Sequence, residues 1–296
     1  MKAIRTKAAA ALVALLGLFS LSVAADDLQD VLARGELRHL GVFYANFVTA
    51  AGDGFDVEIV RGFARHLGVR YRLVDSDFPA VMRDLLGREI VHSGDQVTLA
   101  GDYPIRGDLI AAGFTILPWR ERVVLYSEPT FPSQVLLVGP ADSPVMPIRG
   151  SARLADDIAR TKALIAGQSL LVMLKTCLDP ANYGLTGLGL DLRPYTRSSN
   201  LNEMVPALLA GGADLTLLDL PDVVIDLQKW AGRIKVIGPI SAEQKMAAAF
   251  RPSGRALRDA FNDYLRQIKA DGSFGLLVKR YYPGVLDYFP EFLAAR

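Results

Sequence analysis

Arg120, Thr115 and Asp219 are the residues of this chain whose types best suit them to hold a small charged molecule. The planar guanidinium of an arginine offers a carboxylate two parallel N–H donors, each charge-assisted bond worth about 1.5–3 kcal/mol. Thr115 stands a short step before Arg120 and adds a hydroxyl and a backbone amide. Asp219 follows the strand-like run from Asp214 to Leu218 and precedes Pro221. A carboxylate there can meet an ammonium group that burial would otherwise desolvate at a cost. Plainer readings stand beside these. Arg120 could pair with Glu121 or Glu128 at the surface, Thr115 could be an ordinary β-branched strand residue, and Asp219 could cap a helix or pair with Arg233. Asp214 reads as structural. Gln168 and Ser169 follow Gly167 at an expected helix start, where free amides bind anions.

Other chemistries find no support in the residue pattern. His39, His66 and His92 are scattered without metal-ligand spacing. Cys177, the single cysteine, has no base beside it in sequence and reads as a buried small hydrophobe that forms no disulfide. The run Gly184-Leu185-Thr186-Gly187-Leu188-Gly189 follows no clear strand and reads as a turn, not a phosphate loop. There is no Gly-x-Ser-x-Gly elbow, and no cofactor is implied.

The elements that must position these groups alternate. Leu28 to Leu32 form a short helical piece closed by Arg34-Gly35, and Leu37 to Val42 is strand-like. Ile59, Val60, Phe63, Ala64 and Leu67 share one helical face stopped by Gly68, and Val69, Tyr71 and Leu73 alternate as in a half-buried strand. This βαβ opening predicts a parallel sheet. Gly87 to Gly107 breaks the rhythm as a loop or small hairpin, either a docking feature or a variable surface loop. Asp108 to Ala112, Val123 to Tyr126 and Gln134 to Val138 read as strands, and Ala152 to Leu164 as a helix. A strand-like edge at Ala163 to Ile165 and a further helix after Ser169 come next. Asn200 and Glu203 open a helix ended by Gly211-Gly212, and Ile234 to Ile237 is a strand. Leu257, Phe261, Tyr264, Leu265 and Ile268 form three clean helical turns. The aromatic tail Tyr281, Tyr282, Tyr288, Phe289 and Phe292 is expected to pack on a neighbouring lobe.

Lys2, Arg5 and Lys7, an apolar run to Leu21 and the small residues Ser22-Val23-Ala24-Ala25 have the form of a cleavable export signal over residues 1–25. That run is short for a membrane anchor, and no cysteine at the junction invites a lipid. Taking these three basic residues from 33 leaves 30 against 32 Asp+Glu. A near-neutral exported domain gives no electrostatic reason to expect nucleic acid as a partner. Hydrophobic residues make up 51% of the chain, enough to fill one or two cores without disulfides.

Three segments, in order, carry a family resemblance. Gly54-Phe55-Asp56-Val57-Glu58 before a helix is similar to a G-F-D-V-D helix start. The stretch from Asp108 through Gly113, Phe114, Thr115, Ile116, Leu117, Pro118, Trp119 and Arg120 to Ser127-Glu128-Pro129 resembles a D-x-I-x-x-G-x-T-I-T-P-x-R … S-x-P signature. Leu208-Leu209-Ala210-Gly211-Gly212-Ala213-Asp214 with Asp219 resembles a second-lobe signature. The family is the type II periplasmic solute-binding proteins of amino-acid uptake transporters (family 3).

The resemblance implies two doubly wound α/β lobes joined by two crossing strands. Lobe 1 would take residues 26–136 and be completed by 245–296, with lobe 2 inserted at 137–244. The crossings would lie near Ser133 to Val138 and Ile240 to Phe250. It implies a periplasmic monomer that binds an amino acid or related carboxylate without chemistry and delivers it to an inner-membrane ABC permease. The ligand residues it suggests are Arg120, Thr115, Gly113 and Asp219, with Ser169 matching a small hydroxyl position. Tyr44 and Phe47 would cover the solute's side chain, or simply pack within the lobe; Trp119 would extend the same wall. Leu117 departs from the family, which usually has a hydroxyl there, and this widens tolerance for apolar solutes. Alternatives are a prephenate- or arogenate-type dehydratase on the same scaffold, using Glu128 or Asp219 as acid, and a sensor without a transport role.

Overall fold

The computed structural model describes residues 27–93 and 96–288. The expected export signal and the tail residues Phe289 and Phe292 lie outside them.

The chain builds one sheet, crosses over, builds a second and returns. The first part runs α1 (Asp27–Arg34), β1 (Glu36–Val42), α2 (Phe55–His66), β2 (Arg70–Ser76), α3 (Val81–Leu86), β3 (Glu89–Ser93), β4 (Gln96–Ala100), β5 (Leu109–Ile110), β6 (Leu125–Tyr126) and β7 (Phe131–Ser133). The second comprises β8 (Val135–Pro140), α4 (Leu154–Ala163), β9 (Ser169–Val172), β10 (Asp191–Pro194), α5 (Met204–Leu209), β11 (Leu215–Asp219), α6 (Leu220–Lys229), β12 (Ile234–Pro239) and β13 (Gln244–Met246). The return supplies β14 (Ala249–Phe250), α7 (Arg255–Ala270), α8 (Ser273–Tyr281) and α9 (Val285–Tyr288).

Lobe 1 has the strand order β2-β1-β5-β14-β6 and lobe 2 the order β10-β9-β11-β8-β12. As the βαβ rhythm predicts, β2, β1 and β5 run parallel, and so do β10, β9 and β11. The strands nearest the crossings, β14 and β8, run antiparallel to their neighbours, because the chain enters there from the other lobe. β7 and β13 pair with each other between the lobes. The fold is therefore two mixed α/β lobes joined by crossing strands, the type II periplasmic binding protein architecture. The anticipated divisions at 136/137 and 244/245 fall inside β8 and β13.

Lobe 1 buries what its period predicts. Val57, Ile59, Val60, Phe63 and Ala64 of α2 face the first core, and Leu257, Phe261, Leu265 and Ile268 of α7 meet them from the far side. The Phe63 and Phe261 rings pack edge to face with centroids 5.1 Å apart. Three local readings are corrected. Ala163 to Ile165 is no strand edge: α4 runs through Ala163, and the Leu164 and Ile165 amides turn back onto the Thr161 and Lys162 carbonyls. No helix follows Ser169: Ser169-Leu170-Leu171-Val172 is a fully buried strand, a short apolar run that periodicity alone cannot tell from helix. Val123 and Val124 are not strand either; both their amides fold back onto the Arg120 carbonyl at 3.0 Å, so β6 starts only at Leu125. The Gly87 to Gly107 stretch contains the antiparallel hairpin β3–β4.

Candidate functional site

Four loops at the carboxyl ends of β1, β5, β9 and β11 converge between the lobes, where ligand sites of open α/β sheets lie. The β5 loop carries the most polar chemistry. Gly113 turns the chain at φ +59°, and its amide donates to Asp56 Oδ2 at 2.7 Å. Thr115 follows, and residues 120–122 form a 3-10 turn that directs Arg120 inward, leaving it only 2% exposed. The Arg120 guanidinium donates to the Thr115 carbonyl at 2.9 Å and lies over the Phe114 ring, 4.1 Å from its centroid. Tyr126 Oη donates to the same carbonyl at 3.1 Å.

The surface salt bridges considered for Arg120 do not form: Glu128 pairs instead with Arg266, and among the described residues Arg120 has no carboxylate partner. Three buried polar atoms of this segment lack any partner: Thr115 Oγ1, Trp119 Nε1 and Arg120 Nε. Unpaired buried donors cost about 1–3 kcal/mol each, and such atoms call for explanation by a ligand or water.

Asp219 ends β11. It is fully buried and sits at the N-cap position of α6, yet its side chain makes no cap bond. Its oxygens accept instead from Cys177 Sγ at 2.8 Å, Tyr44 Oη at 3.2 Å and Ser133 Oγ at 3.4 Å. Desolvation pushes its pKa up, against the pull of those three bonds and of Arg120. The positive charge of Arg120 is felt by Asp219, Cys177, Tyr183 and His92, so Arg120 lies within electrostatic reach of Asp219.

Tyr44 reaches this place from lobe 1, fully buried. Phe47 does not: it packs on Phe55, Phe131 and Tyr282 with centroid distances of 6.1, 5.2 and 5.0 Å, inside the lobe behind Tyr44. Gly113 turns its amide to Asp56, so it shapes the loop. Ser169 stands at the amino end of β9, the opposite edge, where its Oγ donates to Asp214 at 2.6 Å. With the helix gone, no anion-binding terminus exists there.

Sequence reasoning missed three contributors. Cys177 was read as a small hydrophobe; its thiol is a donor to Asp219, and only the fold brings the β9 and β11 loops together. Asp222, in the first turn of α6, places its Oδ2 2.9 Å from Tyr44 Oη. His92, on the β3–β4 hairpin, stacks flat on Trp119 with centroids 4.0 Å apart and planes 8° apart. It also feels Asp179 of lobe 2, so the hairpin overhangs the Arg120 loop. No cluster of potential metal ligands exists among the described residues.

Residues 105–284 match the family of bacterial extracellular solute-binding proteins, family 3. This chain belongs to that family. It is 27% identical over 186 residues to the membrane-bound lytic murein transglycosylase F of Desulfosudis oleivorans, a match covering 62% of this chain and 38% of that protein. The chain thus spans well under half of that relative. Among solved structures it resembles the arginine-bound form of truncated ArgBP from T. maritima (23% identity, 81% of this chain and 99% of that one, TM-score 0.62). It also resembles AncCDT-1, an ancestral amino acid-binding protein described as a precursor of cyclohexadienyl dehydratase (20% identity, 87% and 100%, TM-score 0.66). At these identities the structures speak for the fold.

Proposed function

We propose that this protein is the periplasmic solute-binding component of an ABC-type uptake system, gripping an amino acid or related carboxylate between Arg120 and Asp219. The observation that carries this is the trio of buried, unpartnered atoms Thr115 Oγ1, Trp119 Nε1 and Arg120 Nε. All three can donate a hydrogen bond, and they belong to or stand beside a buried guanidinium that has no carboxylate partner among the described residues. A solute carboxylate supplies what they lack, and Asp219 stands ready for a cationic group. Similar folds that bind arginine or other amino acids support the reading.

The lobes divide, on this reading, at β7 and β13, with Gln134 and residues 240–243 as the bends about which the cleft closes. Delivery to an inner-membrane permease and export through cleavage of residues 1–25 complete the proposal.

The test is a thermal-shift screen over the amino acids and small carboxylates. One class should raise Tm, because a ligand bound only by the native state stabilises it. Arg120→Gln, with folding checked by circular dichroism, should weaken that ligand at least tenfold, the loss of one charge-assisted pair. Unchanged affinity in a folded Arg120→Gln protein refutes the site.

A further inference from the structure

Tyr44 leaves lobe 1 at the end of β1 and terminates between two carboxylates of lobe 2. Its Oη lies 3.2 Å from Asp219 Oδ2 and 2.9 Å from Asp222 Oδ2. All three residues are buried, Asp222 being only 4% exposed. A phenol carries one proton and can satisfy one carboxylate at a time. Cys177 and Ser133 both spend their protons on Asp219. If both carboxylates were ionised, one of the two contacts at Tyr44 would set acceptor against acceptor in a buried site, which is costly. The arrangement closes if Asp222 keeps its proton and donates it to Tyr44 Oη, while Tyr44 donates to Asp219.

We infer that Tyr44, Asp222 and Asp219 form an inter-lobe latch that shuts the clamp on one bound proton. The surroundings favour holding it. Around Tyr44 stand Asp219, Asp222, Cys177 and, from the segment after α8, Tyr282. Asp222 faces Asp219 and, from its own helix, Asp226; Lys229 acts on Asp226. Asp219 faces Cys177, Tyr44 and Ser133, with Tyr183 also in reach, and Arg120 acts on it as a cation. Burial first, then the charge of Asp219, drives the Asp222 carboxyl well above the usual range. When the lobes part, both carboxylates regain water and the proton leaves. Closing therefore takes up a proton, and the closed form gains ground as pH falls. For one linked proton the closed-to-open ratio changes by up to about tenfold per pH unit. The latch depends on protein groups alone, so it stands or falls separately from the identity of the solute.

Small-angle X-ray scattering on the unliganded protein, stripped of solute by unfolding and refolding, tests this between pH 5.5 and 8.5. The radius of gyration should rise with pH. Asp222→Asn keeps a donor for Tyr44 and cannot ionise, so it should stay compact at pH 8.5. Tyr44→Phe removes only the hydroxyl and should be expanded and pH-insensitive. A flat wild-type profile overturns the latch, and so does a wild-type pH response in either variant.

Discussion

Asp56, in the first turn of α2, is buried where it holds the Gly113 amide, and burial raises its pKa from 3.8 to about 7. The folded value lies above the unfolded one, so its contribution to stability is complete below about pH 4 and is lost as pH climbs through 7. The loss is on the order of 4 kcal/mol if the whole shift is realised. His39 runs the other way. Its Nε2 donates to the Ala111 carbonyl at 2.6 Å, its Nδ1 accepts from Tyr71 Oη at 2.9 Å, and desolvation lowers its pKa to about 4. A ring buried neutral costs stability as pH falls from 6.5 towards 4, because the unfolded chain takes the proton first. Asp56→Asn keeps an acceptor for Gly113 and removes only the first slope. Urea unfolding at pH 5 and pH 8 should show the variant gaining a few kcal/mol on wild type at the higher pH. A difference between the two proteins that does not change with pH contradicts this.

The β5 loop works because Gly113 permits a turn that no side chain would. At φ +59°, an added Cβ would sit 2.5 Å from Phe47 Cδ2 and 2.9 Å from Tyr44 Cε1. Left-handed strain and overpacking together predict that Gly113→Ala costs about 2–4 kcal/mol in urea unfolding. It should also weaken solute binding, since Thr115 and Arg120 ride on the same turn; a variant with wild-type stability would show that the loop adapts. Such loops mark the boundary of what the sequence reveals. The faces of α2 and α7 were legible because apolar spacing dictates them, and Arg120 stood out as a candidate because its chemistry is specific and its segment distinctive. Ser169 misled because a buried four-residue strand has no period of its own. His92 on Trp119 and Cys177 on Asp219 join residues from separate loops, and no local pattern encodes those encounters.

At the scale of the whole molecule, the end of the chain props the loop that carries Tyr44. Tyr282 fills the space between Phe47 and Phe131, and its Oη accepts from the Asn46 amide at 3.1 Å. The Tyr281 carbonyl accepts from Asn46 Nδ2 at 2.7 Å. On the other side, the Ala45 amide donates to Asn202 Oδ1 of lobe 2 at 2.8 Å. The returning chain thus holds the loop in lobe 1 while lobe 2 meets it across the cleft, which explains why the insertion of one lobe into the other leaves the site coherent. Tyr282→Phe keeps the ring and strands the Asn46 amide, at a cost of about 1–3 kcal/mol. The expected result is a lower Tm together with a severalfold weaker response to the stabilising solute. Leu276→Ser, on the exposed face of α8 at 69% exposure, should change neither. If Tyr282→Phe lowers Tm but leaves solute affinity untouched, the C-terminal segment stabilises lobe 1 without governing the loop proposed to meet the solute.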